Sequence, residues 1–70
     1  MERKRVNSSR IRSAGYDSQQ QLLEVEFSDG RVVSYRGVSA EVHRQFLNAP
    51  SPVSFYEDKI AENYPETRVR

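Results

Sequence analysis

The stretch "LLEVEFSDGRVVSYR", residues 22–36, decides the fold. Apolar residues alternate with polar ones on both sides of Ser-Asp-Gly, which is the period of two expected for strands with one buried face. A three-residue loop at residues 28–30, with Gly30 in the left-handed conformation, pairs Phe27 with Arg31. A two-residue loop would instead set the apolar residues of one strand against the glutamates of the other. The sequence therefore predicts a β-hairpin with the longer loop.

The pairing across this hairpin follows from the loop. It places Val25 opposite Val33 and Leu23 opposite Tyr35, so that the apolar faces of the two strands coincide. We therefore predict that this face packs against the rest of the protein.

A third strand is predicted just before the hairpin. "SRIRSAGY", residues 9–16, also alternates, with odd-numbered positions on one face and even-numbered positions on the other. Antiparallel pairing with the next strand would set Arg12 opposite Glu24 and Arg10 opposite Glu26. Such pairs form a ladder of cross-strand ion pairs on the solvated face.

Two helices are predicted after the strands. Ser39 is suited to cap the first helix, which carries an apolar stripe at positions i, i+4 and i+7, namely Val42, Phe46 and Ala49. Ser51 and Pro52 mark the start of the second helix, whose stripe is Val53, Tyr56, Ile60 and Tyr64. The predicted fold is α+β: a three-stranded antiparallel β-meander followed by two α-helices packed on one face.

The chain length of 70 residues allows one small domain. Residues 1–8 hold a single apolar residue after the initiating Met, so we predict a flexible basic arm there. Residues 9–64 form the predicted folded unit. A proline at position 65 disfavours helix for the residue before it, and residues 65–70 are predicted to be a disordered tail.

The composition argues against several classes of protein. With no cysteine, the chain has no disulfide, thiolate zinc site or thiol nucleophile, and its single histidine, His43, gives no metal-ligand spacing. Ser39 could approach His43 on one helical face, but no oxyanion hole or oriented base accompanies them. We expect no catalysis, no metal and no cofactor. Neither a membrane helix nor a signal peptide is visible, so a cytoplasmic monomer is expected.

The charge is unevenly distributed along the chain. Five basic residues against one acid give residues 1–12 a charge of +4, while six bases against nine acids give residues 13–70 a charge of −3. A basic arm of this kind indicates either a segment that seeks phosphates or a solubilising terminus.

Four stretches in order carry a resemblance to a known family: "SSRIRSAGYD", "LEVEFSDGRVVSYRGV", "EVHRQFLNAPS" and "FYEDKIAENY". Over residues 8–64 the chain resembles the KTSC domain, a small family named for the C-terminal region of some lysyl-tRNA synthetases and also found in free-standing bacterial proteins. The synthetase context of the family implies RNA binding by association. The resemblance brings no catalytic residues.

The chain departs from the family pattern at two positions. The third strand of the family usually carries Tyr-x-Tyr, whereas this chain has Val33 before Tyr35, and Val53 stands where the family commonly has glycine. Valine can replace a tyrosine that packs, but not one that stacks on a base or donates a hydrogen bond. This face of the hairpin is therefore predicted to be structural.

A composite basic surface is the predicted nucleic-acid site. Its candidate residues are Arg3, Lys4 and Arg5 on the arm, Arg10 and Arg12 on an edge strand, Arg36 on the third strand, and Tyr16 as a stacking ring. RNA contacted in this way would be bound weakly and without sequence preference. A protein-interaction module that accepts a partner strand at the sheet edge is the alternative.

Overall fold

The fold is a five-stranded antiparallel sheet with helices against one face. The computed structural model describes residues 3–6 and 8–70. The strands, which lie side by side in chain order, are β1 (Arg3–Arg5), β2 (Ile11–Asp17), β3 (Leu22–Phe27), β4 (Val32–Arg36) and β5 (Glu66–Arg68). The helices are α1 (Ala40–Asn48) and α2 (Pro52–Phe55), and a π-helical segment over Tyr56–Ile60 continues α2.

The two outer strands correct the prediction of three strands. β1 and β5 lie in the segments for which a flexible arm (residues 1–8) and a disordered tail (residues 65–70) were predicted. Both strands are exposed along their whole length and pair with a single neighbour, so they need no apolar alternation. Val6, just after β1, is buried in the core. The segment 3–6 is therefore part of the folded domain.

The structure confirms the predicted hairpin. Val25 lies opposite Val33 and Leu23 opposite Tyr35. The amide of Phe27 donates to the carbonyl of Arg31 at 2.8 Å, and the Gly30 amide donates back to the Phe27 carbonyl at 3.0 Å. Gly30 has a φ of 97°, the left-handed conformation that the three-residue loop requires.

The pairing of β2 with β3 differs from the predicted register. A β-bulge interrupts the register between Ile11 and Ser13, so that Ser13, and not Arg10, lies opposite Glu26. Beyond the bulge the two faces of β2 exchange, because one extra residue shifts a period of two by one. Ala14 and the half-buried Tyr16 then share the core face with Ile11.

Both predicted helix starts are confirmed. The Ser39 hydroxyl accepts a hydrogen bond from the Val42 amide at 3.2 Å, and α2 begins at Pro52. Phe46 from α1 and Ile60 from the π-helical segment are completely buried against the sheet. None of the helices in residues 3–6 and 8–70 is long and apolar enough to cross a membrane.

Tyr35, in the middle of the sheet, is a core residue. Its ring is fully buried, and its hydroxyl is hydrogen-bonded to that of Tyr56. Burial, with the Tyr56 hydrogen bond, raises the pKa of Tyr35 far above its ordinary value. Val33 is buried on the same face. The side chains at both positions therefore pack, and neither is exposed to stack on a base.

We expect Gly30→Val to lower the free energy of unfolding by at least about 1 kcal/mol, because a β-branched residue tolerates a positive φ poorly. Chemical denaturation of the two proteins measures the difference. Gly30→Asn is the matched control, since asparagine adopts the left-handed conformation more readily, and it should lose less. Equal losses in the two variants would show that the conformation of Gly30 is not what limits this position.

Candidate functional site

The bulge in β2 shapes a cleft where β1 meets the start of β2 and the end of β3. The cleft has a volume of about 500 Å³, and its lining residues are Arg5, Val6, Ser8, Arg12 and Ser28. We call it the Arg5–Arg12 cleft. Two arginines and two serines in its wall make it a polar, basic site.

Hydrogen bonds fix the walls of this cleft to the sheet. The Val6 amide donates to the Arg12 carbonyl at 3.0 Å, which ties the end of β1 to the bulge. The Arg12 Nη2 atom donates to the Ser28 carbonyl at 3.3 Å, and the Ser28 hydroxyl donates to the Ser9 carbonyl at 2.7 Å. The arginines are therefore brought together by backbone geometry.

The charge in the cleft is only partly compensated. Within residues 3–6 and 8–70, no carboxylate oxygen lies within 4.0 Å of the Arg5 guanidinium. The Arg12 side chain is 58% exposed, and its nearest carboxylate oxygen, on Glu26, is 3.9 Å away. An ion pair of this length with an exposed guanidinium stabilises little, so Glu26 compensates the charge of Arg12 only in part.

Arg3 lies outside the cleft, because two glutamates hold it. It forms an ion pair with Glu24, and its Nη1 atom is 3.8 Å from a Glu26 oxygen. Arg70 approaches Glu26 from the opposite edge of the sheet at 3.8 Å. Both glutamate side chains are mostly buried on the open sheet face, where they satisfy the arginines at the two chain ends. Arg10 takes no part in this network, which corrects the predicted ladder.

Arg10 lies beside the cleft. Its side chain is exposed and reaches Glu57 at 3.5 Å. Together with Arg31 it lines a neighbouring cleft, which shares Ser28 with the Arg5–Arg12 cleft. Arg31 is held by Asp29, whose carboxylate accepts from the Arg31 amide and from Nε at 3.0 Å each.

Asp29 remains ionised at the hairpin tip. The hydrogen bond from the Arg31 backbone lowers the pKa of Asp29 below its usual value. Asp29 therefore neutralises Arg31 at neutral pH, and the neighbouring cleft carries less uncompensated charge than the Arg5–Arg12 cleft.

The other predicted site residues lie elsewhere. Lys4 is on the helix side of β1, and Arg36 ends β4, which is not part of the cleft. Tyr16 was predicted to present its ring to solvent, but the ring is half-buried and stacks on His43, with centroids 4.6 Å apart. Its hydroxyl donates to the Val38 carbonyl. The structure thus brings together Arg5 and Arg12 from the predicted set, with Arg10 adjacent.

Three residues of the cleft were missed by sequence reasoning, namely Val6, Ser8 and Ser28. Ser8 and Ser28 lie in a bend and a turn, and Val6 lies just after β1. Only their closeness to the bulge makes them part of the site. Within residues 3–6 and 8–70, no group of three or more His, Cys, Asp and Glu side chains is placed to hold a metal ion.

Comparison with known proteins identifies the family. The KTSC domain family matches residues 7–64, which span the bulge, the hairpin and both helices. The chain belongs to the KTSC domain family. An uncharacterised protein of Stutzerimonas stutzeri (strain A1501) is 49% identical over 51 residues, which are 73% of this chain and 72% of the relative.

A solved structure shows the same fold. The crystal structure of a KTSC domain protein from Yersinia pestis has 33% sequence identity and a TM-score of 0.92, and it covers 99% of this chain and 97% of its own. The resemblance to the KTSC domain is thereby confirmed. The comparisons support membership of the KTSC domain family. They do not support the expected link to lysyl-tRNA synthetases.

Proposed function

We propose that this KTSC domain is a non-catalytic module that binds RNA through its phosphates, with the Arg5–Arg12 cleft as the contact site. The observation that carries the proposal is the convergence of two guanidinium groups and two serines in one cleft of about 500 Å³. The residues come from β1, β2 and the hairpin loop, so folding itself assembles the site.

The chemistry of the lining favours phosphate. A guanidinium presents planar, paired N–H donors that match two oxygens of a phosphate, and it stays charged at every physiological pH. The serine hydroxyls of Ser8 and Ser28 can rotate to donate to a further oxygen. Arg5 and Arg12 bring two positive charges to the cleft, and among residues 3–6 and 8–70 only Glu26 compensates one of them in part. This charge attracts a polyanion before contact.

The same lining favours weak and sequence-independent binding. No aromatic ring belongs to the described lining of the cleft, and Tyr16 and Tyr35 are engaged on the other face of the sheet. Sequence readout of RNA depends on bases that stack on aromatic or guanidinium planes and on hydrogen bonds to base edges. Contacts to phosphates alone set position and carry no sequence information.

A second phosphate position is available next to the first. The neighbouring cleft shares Ser28 and adds Arg10, whose exposed ion pair with Glu57 can exchange for a phosphate at little cost. A backbone that follows both clefts would contact three arginines in succession. The proposal thus replaces the predicted flexible arm with a preformed strip that runs from β1 past the bulge to the hairpin.

Nuclear magnetic resonance on ¹⁵N-labelled protein tests the proposal. We expect a short single-stranded oligouridine at low salt to shift the amides of Val6, Ser8, Arg12 and Ser28, and high salt to abolish these shifts. The amides of α1 are the internal control and should stay in place. Salt-sensitive shifts confined to other surfaces, or no shift at all, would reject the cleft as an RNA site.

A protein-interaction module is the second candidate function. It is favoured by β5, a short edge strand whose outer backbone groups could pair with a strand of a partner. β1, the opposite edge, carries Arg3, Lys4 and Arg5, and charges of this kind discourage strand addition. An oligouridine titration that leaves every amide unmoved would favour this second function.

A further inference from the structure

The two edge strands of the sheet carry different patterns of charge. β1 reads Arg-Lys-Arg and β5 reads Glu-Thr-Arg, and every residue of both strands is exposed. β5 is the last strand of the sheet, so within residues 3–6 and 8–70 no strand pairs with its outer side. An edge of this kind is a template for another strand, and its side chains decide which strand it accepts.

The backbone groups that face outward from β5 belong to Glu66 and Arg68. The Arg36 amide donates to the Pro65 carbonyl at 3.3 Å, so that carbonyl faces β4. Because these groups alternate in direction along an antiparallel strand, those of Thr67 also face β4, and those of Glu66 and Arg68 face away from it. A second strand can therefore form hydrogen bonds with β5 through these two residues.

β5 is complementary to itself when two copies pair antiparallel. With Thr67 opposite its own counterpart, Glu66 of each copy lies opposite Arg68 of the other. Both positions have outward-facing backbone groups, so this register forms four backbone hydrogen bonds between the copies. It also forms two pairs of opposite charge and one pair of threonines on the two-fold axis, which are favourable cross-strand pairs.

The charges select this register over its neighbours. A shift by one residue would set outward-facing backbone groups opposite inward-facing ones, and their hydrogen bonds would be lost. A shift by two residues would restore the hydrogen bonds, but it would set Glu66 opposite Glu66 or Arg68 opposite Arg68. Like charges directly opposite each other are destabilising.

The side chains of Glu66 and Arg68 are available for such pairs. Within residues 3–6 and 8–70, no group of opposite charge lies within 4.0 Å of either side chain. Val69, which follows β5 and is 54% exposed, would lie near Pro65 of the second copy in the same register. Association would thus remove an exposed apolar side chain from water.

β1 does not offer this complementarity. Two copies of β1 centred on Lys4 would set Arg3 of each copy opposite Arg5 of the other, so every pair would repel. Pairing of β1 with β5, centred on Lys4 and Thr67, would give one attractive and one repulsive pair in either strand direction. Pairing of β5 with β5 is therefore favoured, and because it is symmetric it ends at a dimer.

We propose that two copies of this chain associate through their β5 strands and join their sheets into one continuous antiparallel sheet. The contact is short, with three strand residues from each copy, and it provides less than the about 1,200 Å² of a stable interface. The expected dissociation constant is therefore roughly 0.1–1 mM. Both β1 strands lie at the outer ends of the joined sheet, so the Arg5–Arg12 clefts stay open and the association does not depend on RNA. It departs from the monomer expected from the sequence.

A dilution series of the ¹⁵N-labelled full chain tests the proposal without RNA. Over roughly 0.05–2 mM, we expect the amides of Glu66 and Arg68 to shift along a dimerisation curve and to gain protection from hydrogen exchange. The Thr67 amide already faces β4, so it is the internal control and should gain less protection. Sedimentation over the same range should show the mass rise toward that of a dimer.

Charge-exchange variants test the register. Glu66→Arg and Arg68→Glu should each weaken self-association at least about tenfold, because each turns two attractive pairs into repulsive ones. An equimolar mixture of these two variants should associate again, since every pair between them is of opposite charge. The double variant Glu66→Arg, Arg68→Glu should associate like the unaltered chain. Glu62→Arg is the matched control: it makes the same change of charge at an exposed position before β5 and should keep the affinity.

Several outcomes would overturn the proposal. A constant mass with unmoved amides up to the highest concentration would leave β5 to a strand of a different protein, and growth beyond a dimer would contradict symmetric pairing. Concentration-dependent shifts confined to β1 or α1 would place the contact elsewhere. A mixture of the two single variants that associates no better than either alone would reject the register. Should a single variant fail to fold, the dilution series of the unaltered chain and of the double variant decides.

Discussion

Phe46→Ala should destabilise the domain by about 3–5 kcal/mol, a large share of its total stability. Phe46 is completely buried and is the one buried residue of α1, so its ring joins that helix to the sheet. A chain of 70 residues is expected to have a total stability of only roughly 4–10 kcal/mol. Circular dichroism and urea denaturation would measure the loss.

The matched control for this prediction is Val69→Ala. The Val69 side chain is 54% exposed near the end of the chain, and its truncation should change the free energy of unfolding by less than about 0.5 kcal/mol. If Phe46→Ala kept most of its stability, α1 would not be part of the core that holds the domain together.

Removal of β1 should also destabilise the domain, by at least about 2 kcal/mol. A chain that begins at Asn7 lacks Val6, which is only 6% exposed and whose burial alone is worth about 1.5–3 kcal/mol. It also lacks Arg3, so Glu24 and Glu26 would lose the cation that they share on the open sheet face. Urea denaturation of the truncated and full-length chains tests this.

A full-length variant distinguishes the contribution of the β1 backbone to stability from the contribution of its charged side chains. With Arg3, Lys4 and Arg5 all replaced by serine, Val6 and the backbone pairing with β2 remain, and the loss should be smaller than for the truncation. A truncated chain as stable as the full-length one would contradict a structural role for β1 and would support the flexible arm that the composition predicted over residues 1–8.

The hairpin could be predicted from the sequence because the residues that determine its pairing lie close together in the chain. Alternating apolar residues and one Asp-Gly pair allow a single register in which Val25 meets Val33, and the structure has that register. β1 and β5 could not be predicted in this way. They are exposed on both faces and are held by backbone pairing, and Arg-Lys-Arg or Glu-Thr-Arg gives no apolar period to detect.

The candidate site was only partly predictable for a different reason. The charge distribution identified Arg5 and Arg12 as candidate phosphate contacts. That both line one cleft depends on the bulge between Ile11 and Ser13. No residue in "SRIRSAGY" marks the bulge before the pairing partners are known. The same extra residue turned Tyr16 toward the core, and it thereby removed the predicted stacking ring from the surface.

The salt dependence of RNA binding tests the central claim most directly. Binding of a single-stranded oligouridine should be measured at several salt concentrations for the unaltered chain and for the double variant Arg5→Ala, Arg12→Ala. A control double variant, Arg36→Ala with Arg44→Ala, removes the same charge away from the cleft. We expect the first double variant to weaken binding and to reduce the magnitude of the slope of log K against log salt by about 1.4, since each lost phosphate contact contributes about 0.7. The control should keep the slope of the unaltered chain, and equal slopes in the two double variants would contradict phosphate binding at the Arg5–Arg12 cleft.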